Sequence, residues 1–142
     1  MHIQRQRLDR IEQVQEKIAK SKPNDWFTRG EIYVSAANAA IHPMLAHDRR
    51  DYVFALDMFT RAVVEFSAAH RYHFERAVKM AQRLWVLGAR LDDPVDTRPK
   101  DYSRSREKWM TKAERDARRV RQCYAEIGYL RQEIELKPQL RD

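Results

Sequence analysis

The amino-acid sequence predicts an all-α fold: a small helical bundle of four to five helices, with a long central helix or helical hairpin and a basic C-terminal helix. The alternation of apolar and polar residues that marks a half-buried strand is hard to find, and no Asn-Gly or Asp-Gly hairpin turn occurs. Neither proline nor glycine lies between Pro43 and Gly88, so a helix can continue through this segment. Alanine, which favours helices and their close packing, occurs 16 times.

The chain of 142 residues has the length of one domain, and we expect a single helical domain over residues 1–142. Apolar residues concentrate in its middle, because residues 26–91 hold 18 of the 30 Leu, Ile, Val and Phe residues. This segment is therefore the predicted apolar core. The two ends contain too few such residues to build a core alone, so they must pack on the middle, on each other or on a partner.

The first two helices are predicted from apolar spacing and from capping. Apolar residues at helical spacing predict a first helix over Ile3–Lys20. Thr28 and Glu31 have the spacing of a capping box, so the second helix is expected to begin at this pair and to end before Pro43. Such a start can open a helix-turn-helix, but no glycine-bearing turn follows it, so a typical reader of the major groove is not favoured.

The third helix is expected to begin near Asp48–Asp51 and to extend as far as Leu87, with Gly88 as its C-cap. At ~1.5 Å per residue, one continuous helix of this kind is about 60 Å long. A break over residues 69–73, which would make a helical hairpin, is therefore an open alternative. A loop over residues 88–103, which contains two of the five prolines, is expected to follow.

The last helix is expected to start at Ser103, Ser105 or Thr111 and to form a basic arm over residues 103–137. Residues 98–121 contain ten Lys and Arg against four Asp and Glu, so this segment carries nearly all of the net charge of +7. At helical spacing its cations form a stripe: Lys108, Lys112, Arg115 and Arg119. A separate apolar stripe is expected to dock the helix: Trp109, Ala113, Ala117, Val120, Tyr124 and Ile127.

We therefore expect a non-enzymatic binding protein that contacts nucleic acid or a nucleoprotein complex through this helix. Arg outnumbers Lys by 20 to 8, and guanidinium groups can fork onto phosphate oxygens. Aromatic side chains beside these cations can stack on bases if they are exposed. The predicted contact set is Arg104, Arg106, Lys108, Lys112, Arg115, Arg118 and Arg119, with Tyr102 and Trp109 at its margin.

Two alternatives to nucleic-acid binding stay open. The first is a protein–protein interaction module that docks on an acidic protein surface, as an adaptor or as an inhibitor of a host or partner complex, of the kind found among phage and plasmid accessory proteins. The second is a charged face that is merely solvated. In addition, the first and last helices each carry a short apolar seam, so we expect these terminal helices to pair, within the chain or across a homodimer.

The sequence predicts no catalytic site, no metal site and no cofactor. It lacks a glycine-rich phosphate loop and a His-Glu-x-x-His motif. His70 and His73 share a helical face, but no third ligand is evident nearby, so we expect them at the edge of the core or in solvent. Cys123 lies beside the apolar seam and is expected to be a packed small hydrophobe rather than a nucleophile. Turn and cap roles, rather than metal binding, are expected for three loop residues: Asp92, Asp93 and Asp96.

The sequence also favours a soluble cytoplasmic protein with no membrane association. No stretch approaches the ~18 consecutive apolar residues of a membrane span. Residues Met1–Pro23 are polar and mixed in charge, unlike a secretory signal. One cysteine cannot form a disulfide framework within the chain.

Overall fold

The described residues form four α-helices in the structure, which is a computed structural model. It describes the backbone of residues 2–42, 48–90 and 100–136, and the side chains of residues 10–42, 48–83 and 104–136. The helices are α1 (His2–Lys20), α2 (Trp26–Ala40), α3 (Arg49–Arg90) and α4 (Lys100–Leu136). No strand occurs within the described ranges. The predicted all-α bundle of four to five helices is confirmed, and of the two alternatives for its centre the structure has one long helix rather than a hairpin.

The third helix is one continuous helix of 42 residues, about 63 Å long at ~1.5 Å per residue. It continues past Gly88, because a glycine inside a helix costs only ~1 kcal/mol relative to alanine. The last helix begins at Lys100, three residues before the earliest of the predicted starts. The loop predicted over residues 88–103 is therefore too long at both ends. Its three aspartates lie outside the described residues.

The second helix begins two residues before the predicted capping box. Its N-cap is Asp25, whose side chain makes no capping hydrogen bond, and Thr28 already lies in the first turn. The turn before α2 is held instead by the Arg29 guanidinium. This group donates to the carbonyl oxygens of Lys22 at 2.6 Å and Pro23 at 2.9 Å. A clamp formed by the Arg29 side chain, from within α2, has therefore replaced the capping box that the sequence predicts.

The two long helices, α3 and α4, pack against each other antiparallel. Arg76 lies over the ring of Trp109, whereas His70, earlier in α3, contacts the carbonyl of Ala113, later in α4. Residue numbers thus rise along α3 as they fall along α4. The buried seam of α3 alternates small and large side chains in a seven-residue repeat, as in coiled-coil packing. Its members are Ala55, Phe59, Ala62, Phe66 and Ala69.

The second helix also packs antiparallel to α3 and lies beside α4. Its first residue, Trp26, contacts Tyr72, and the next residue, Phe27, contacts Phe66. Gly30 allows the close approach of α2 to α3, because a Cβ atom at this position would lie 2.5 Å from a ring carbon of Phe66. The core is thus built around α3, and it extends beyond the predicted segment 26–91. The additional members of its main cluster are Val14 from α1 and Cys123, Ile127 and Leu130 from α4.

The first helix is attached to one end of this bundle by few contacts. Val14 is its one buried residue among side chains 10–20. Arg10 lies 4.6 Å from the ring centroid of Phe54 and forms an ion pair of 3.1 Å with Asp51. Cavities of about 440 Å³ and 250 Å³ flank α1. Among the described residues, α1 lies mainly against α2 and α3, while Val14 also belongs to the core cluster that includes Ile127 and Leu130 of α4, so pairing of the first and last helices within the chain stays a prediction. Pairing across a homodimer stays a prediction.

Among the described residues, none of the helices combines the length and the apolar character that crossing a membrane requires.

Candidate nucleic-acid interface

The predicted contact residues of α4 divide into an exposed group and a partly buried group. The exposed side chains are Arg104, Arg106, Lys108 and Arg118. The partly buried side chains are Trp109, Lys112, Arg115 and Arg119. Tyr102 belongs to α4, but its side chain lies outside the described residues. The predicted cationic stripe is therefore not a uniformly solvated surface.

Two cations of the stripe fasten α4 to α2. The guanidinium carbon of Arg115 lies 3.5 Å from the ring centroid of Phe27. Arg119 forms an ion pair of 2.8 Å with Glu31 of α2. Both side chains are more than one-third exposed, at 39% and 37%, so they still reach solvent. Their charges are partly committed to the fold, which makes them weaker candidates for a contact with phosphate than the sequence predicts.

The indole of Trp109 is packed between aromatic side chains of α3. The imidazole of His73 stacks on it, with ring centroids 5.6 Å apart and planes inclined by 21°. The Tyr72 ring meets it edge-on at 6.1 Å. Tyr72 in turn contacts Trp26 of α2 at 5.2 Å. Helices α2, α3 and α4 therefore meet in one aromatic group.

Three cations converge on this aromatic group, and we name them the cation cluster: Arg76, Lys108 and Lys112. They lie 5.1, 5.6 and 4.9 Å from the ring centroid of Trp109, within the range of cation–π attraction. Arg76 also donates from its Nε to the hydroxyl oxygen of Tyr72 at 2.9 Å. Like charges brought this close repel one another, so a bound anion would stabilise the arrangement.

The cation cluster has no carboxylate partner among the described side chains, where ion pairs are otherwise formed by several arginines. Arg29, for example, pairs with Glu65 at 3.0 Å. Exposed Arg104 lies four residues before Lys108, on the same side of α4, and extends the cluster towards the start of that helix. The result is a local concentration of positive charge beside aromatic rings.

A buried carboxylate anchors the surroundings of the cluster. Asp116 is fully buried, and its Oδ2 atom accepts a 2.6 Å hydrogen bond from Nδ1 of His73. Arg115 donates to its Oδ1 atom at 3.0 and 3.3 Å. His70 donates from Nδ1 to the Ala113 carbonyl at 2.9 Å. The two histidine bonds cross from α3 to α4, so they fix the spacing and rotation of α4 on α3, and hence the positions of Lys108 and Lys112.

The two histidines lie at the edge of the core, one of the two positions expected for them, and their bonds to α4 hold α3 and α4 together. No group of three or more His, Cys, Asp or Glu side chains with metal-binding geometry occurs among the described residues. Cys123 is 2% exposed, which confirms its packing as a small core residue. Burial raises the pKa of its thiol from 9.0 to about 11, although the nearby charge of Arg119 acts in the opposite direction.

The predicted contact set does not include the part of this site that α3 contributes: Tyr72, His73 and Arg76. Tyr72 and Arg76 are four residues apart, so their common helical face was available from the sequence. Nothing in the sequence, however, places that face against Trp109. Their joint role depends on the antiparallel register of α3 and α4.

Comparison of the chain with models of protein families, with curated proteins and with solved structures finds no match.

Proposed function

We propose that this protein is a non-enzymatic binding protein that contacts nucleic acid, free or in a nucleoprotein complex, through the cation cluster of Arg76, Lys108 and Lys112. The observation that carries the proposal is the convergence of these three cations without a carboxylate partner among the described side chains. Phosphates along a nucleic-acid strand would supply the missing negative charges. Each phosphate neutralised in this way releases condensed counterions, which favours binding and makes it sensitive to salt.

The proposal shifts the predicted contact surface towards the hairpin of α3 and α4. It adds Arg76, retains Lys108 and Lys112, and keeps Arg104 as an extension. It gives less weight to Arg115 and Arg119, whose charges are shared with Asp116 and Glu31. Arg106 is two residues from Lys108, which places it on a different side of the helix.

Binding of a labelled DNA duplex of 20 base pairs, measured by fluorescence anisotropy at several salt concentrations, tests the proposal. The test variant is the triple substitution Arg76→Gln, Lys108→Gln and Lys112→Gln, which removes three charges and keeps most of each side chain. We expect binding weaker by at least about ten-fold at ~0.1 M salt. We also expect the slope of log K against log salt to be less steep by about 2.7, since each lost phosphate contact contributes ~0.9.

A matched control removes the same number of charges elsewhere on α4: Arg118→Gln, Arg121→Gln and Arg131→Gln. All three side chains are exposed, and they lie about 9 to 28 Å beyond Lys112 along the helix at ~1.5 Å per residue. Both triple variants have the same net charge, so a general charge effect would weaken both equally. Equal weakening would contradict the assignment to the cation cluster. No binding of the wild-type protein at low salt would contradict nucleic-acid binding and favour an acidic protein surface as the partner.

A further inference from the structure

We infer that the cation cluster recognises the phosphate backbone of a nucleic-acid strand and not its bases. The inference rests on the proposed function, and it specifies the class of ligand: a polyanionic strand of any base sequence. It replaces the expectation that Trp109 stacks on bases. The reason lies in what already surrounds the aromatic rings at this site.

The ring of Trp109 is already contacted by a stacked imidazole and by three cations, so it is a poor platform for a base. His73 stacks on it with a small interplanar angle of 21°, so imidazole covers indole surface. His73 is itself fixed by its 2.6 Å bond to the fully buried Asp116. Arg76, Lys108 and Lys112 also lie over the ring. A base could therefore stack on Trp109 only by displacing His73 or the cations, and loss of the cations would remove the attraction for phosphate.

The Tyr72 ring is occupied in the same way. Trp26 lies 5.2 Å from it, and His73 meets it edge-on at 5.5 Å. Arg76 lies 5.1 Å from its centroid and also bonds its hydroxyl oxygen. Tyr72 is therefore a support for Arg76 rather than a platform for a base. Among the described side chains, the exposed tyrosines of α4 are Tyr124 and Tyr129, which lie about 18 Å or more beyond Lys112 at ~1.5 Å per residue.

The cations, in contrast, keep hydrogen-bond donors for an anion. The Nε of Arg76 is used by Tyr72, which leaves the two terminal nitrogens of its guanidinium. Lys108 and Lys112 each carry three N–H donors, and neither makes an ion pair among the described side chains. The aromatic rings hold these cations in place through their faces. The site thus presents preorganised positive charge with free donors, which fits phosphate oxygens.

Three single-stranded probes of equal length separate the contributions of charge and base. The first is oligo(dT) of 20 nucleotides, which has both. The second is an abasic strand of 20 phosphates, which has charge alone. The third is an oligo(dT) with uncharged methylphosphonate linkages, which has bases alone. We expect the dissociation constants of the first two to agree within about two-fold, and we expect no measurable binding of the third.

Stacking of even one base would give a clear difference, because each stacked base contributes about five-fold or more to affinity. Binding of oligo(dT) at least five-fold tighter than the abasic strand would overturn the inference and leave the proposed function standing. Retained binding of the methylphosphonate strand would also overturn it. If neither the charged strands nor the duplex of the preceding test binds at low salt, the proposed function itself fails, and the inference fails with it.

Discussion

Replacement of Gly30 by alanine tests the closest contact between α2 and α3. A Cβ atom at this position would lie 2.5 Å from Cε1 of Phe66 and 2.7 Å from Cδ1 and Cζ, where carbon atoms prefer ~3.5–4.0 Å. Phe66 is fully buried in the main core, so its ring has little space to retreat. Overpacking of this kind costs about 1–3 kcal/mol, and the severity of this overlap favours the upper end.

The helix propensity of alanine offsets part of that cost. Alanine stabilises a helix interior by ~1 kcal/mol relative to glycine, so the Gly30→Ala variant should lose about 2 kcal/mol in the free energy of unfolding. Gly128 supplies the matched control, because it is exposed, lies inside α4 and has no atom within 4 Å of a built Cβ. The Gly128→Ala variant should therefore gain up to about 1 kcal/mol. The propensity gain is common to both variants, so the difference between them measures the clash, about 3 kcal/mol.

Chemical denaturation by urea, followed by far-ultraviolet circular dichroism, measures both free energies. A second substitution, Phe66→Leu, should recover part of the stability in the Gly30→Ala background, because a smaller side chain relieves the overlap. Gly30→Ala protein that is as stable as the wild type would refute the close packing of α2 on α3.

Further predictions concern the clamp, the buried carboxylate and the thiol. Arg29→Ala removes the clamp on the turn before α2 and should lower the free energy of unfolding by about 2 kcal/mol, measured by thermal or urea unfolding. Arg61→Ala breaks an exposed ion pair and should lower it by less than ~1 kcal/mol, so equal losses in the two variants would contradict the clamp. By the same assays, Asp116→Ala should lower the free energy of unfolding by about 3 kcal/mol, because it leaves the buried partners of the carboxylate unpaired. The control Glu114→Ala, at an exposed position, should change it by no more than ~0.5 kcal/mol, and an equally small loss for Asp116→Ala would argue against the buried network. Because burial holds the pKa of Cys123 at about 11, above its ordinary 9.0, a thiol reagent at pH 8 should label the native protein far more slowly than the unfolded protein. Because the pKa of this thiol is higher in the folded than in the unfolded protein, the contribution of Cys123 to stability is full below pH 9 and is lost as the pH rises from 9 to 11. The Cys123→Ala variant lacks this titration and should lose less stability than the wild type over the same range.

Much of the secondary structure was accessible from the sequence because it depends on local properties. The absence of strand-like alternation and the long segment without Pro or Gly predicted helices, and the predicted starts and ends of the first helix agree with α1 to within a residue. Local signals failed where tertiary contacts replace them. The Thr28–Glu31 pair has the spacing of a cap, yet Arg29, itself a residue of α2, secures the start of the helix by bonding back to the preceding turn and across to Glu65 of α3.

The face of α4 shows the same limit. The predicted apolar stripe included Tyr124, which is 59% exposed, and omitted Asp116, which is fully buried. The face that packs inwards instead follows alternating steps of three and four residues, the spacing of a coiled-coil seam: Ala113, Asp116, Val120, Cys123, Ile127 and Leu130. Apolar spacing alone does not predict that Asp116 is buried, because a buried carboxylate is stable only where groups such as His73 and Arg115 donate hydrogen bonds to it.

The sequence by itself therefore determined the helical class and the concentration of positive charge in the last helix, since these follow from composition and periodicity, whereas the structure decided that the third helix is continuous. Only the tertiary structure decided which of the charges are free. The antiparallel register of α3 and α4 brings Arg76 to Lys108 and Lys112, and the position of α2 draws Arg119 to Glu31. Partners so far apart in the chain meet only through helix packing, and the energy of a charge depends on the neighbours that packing gives it.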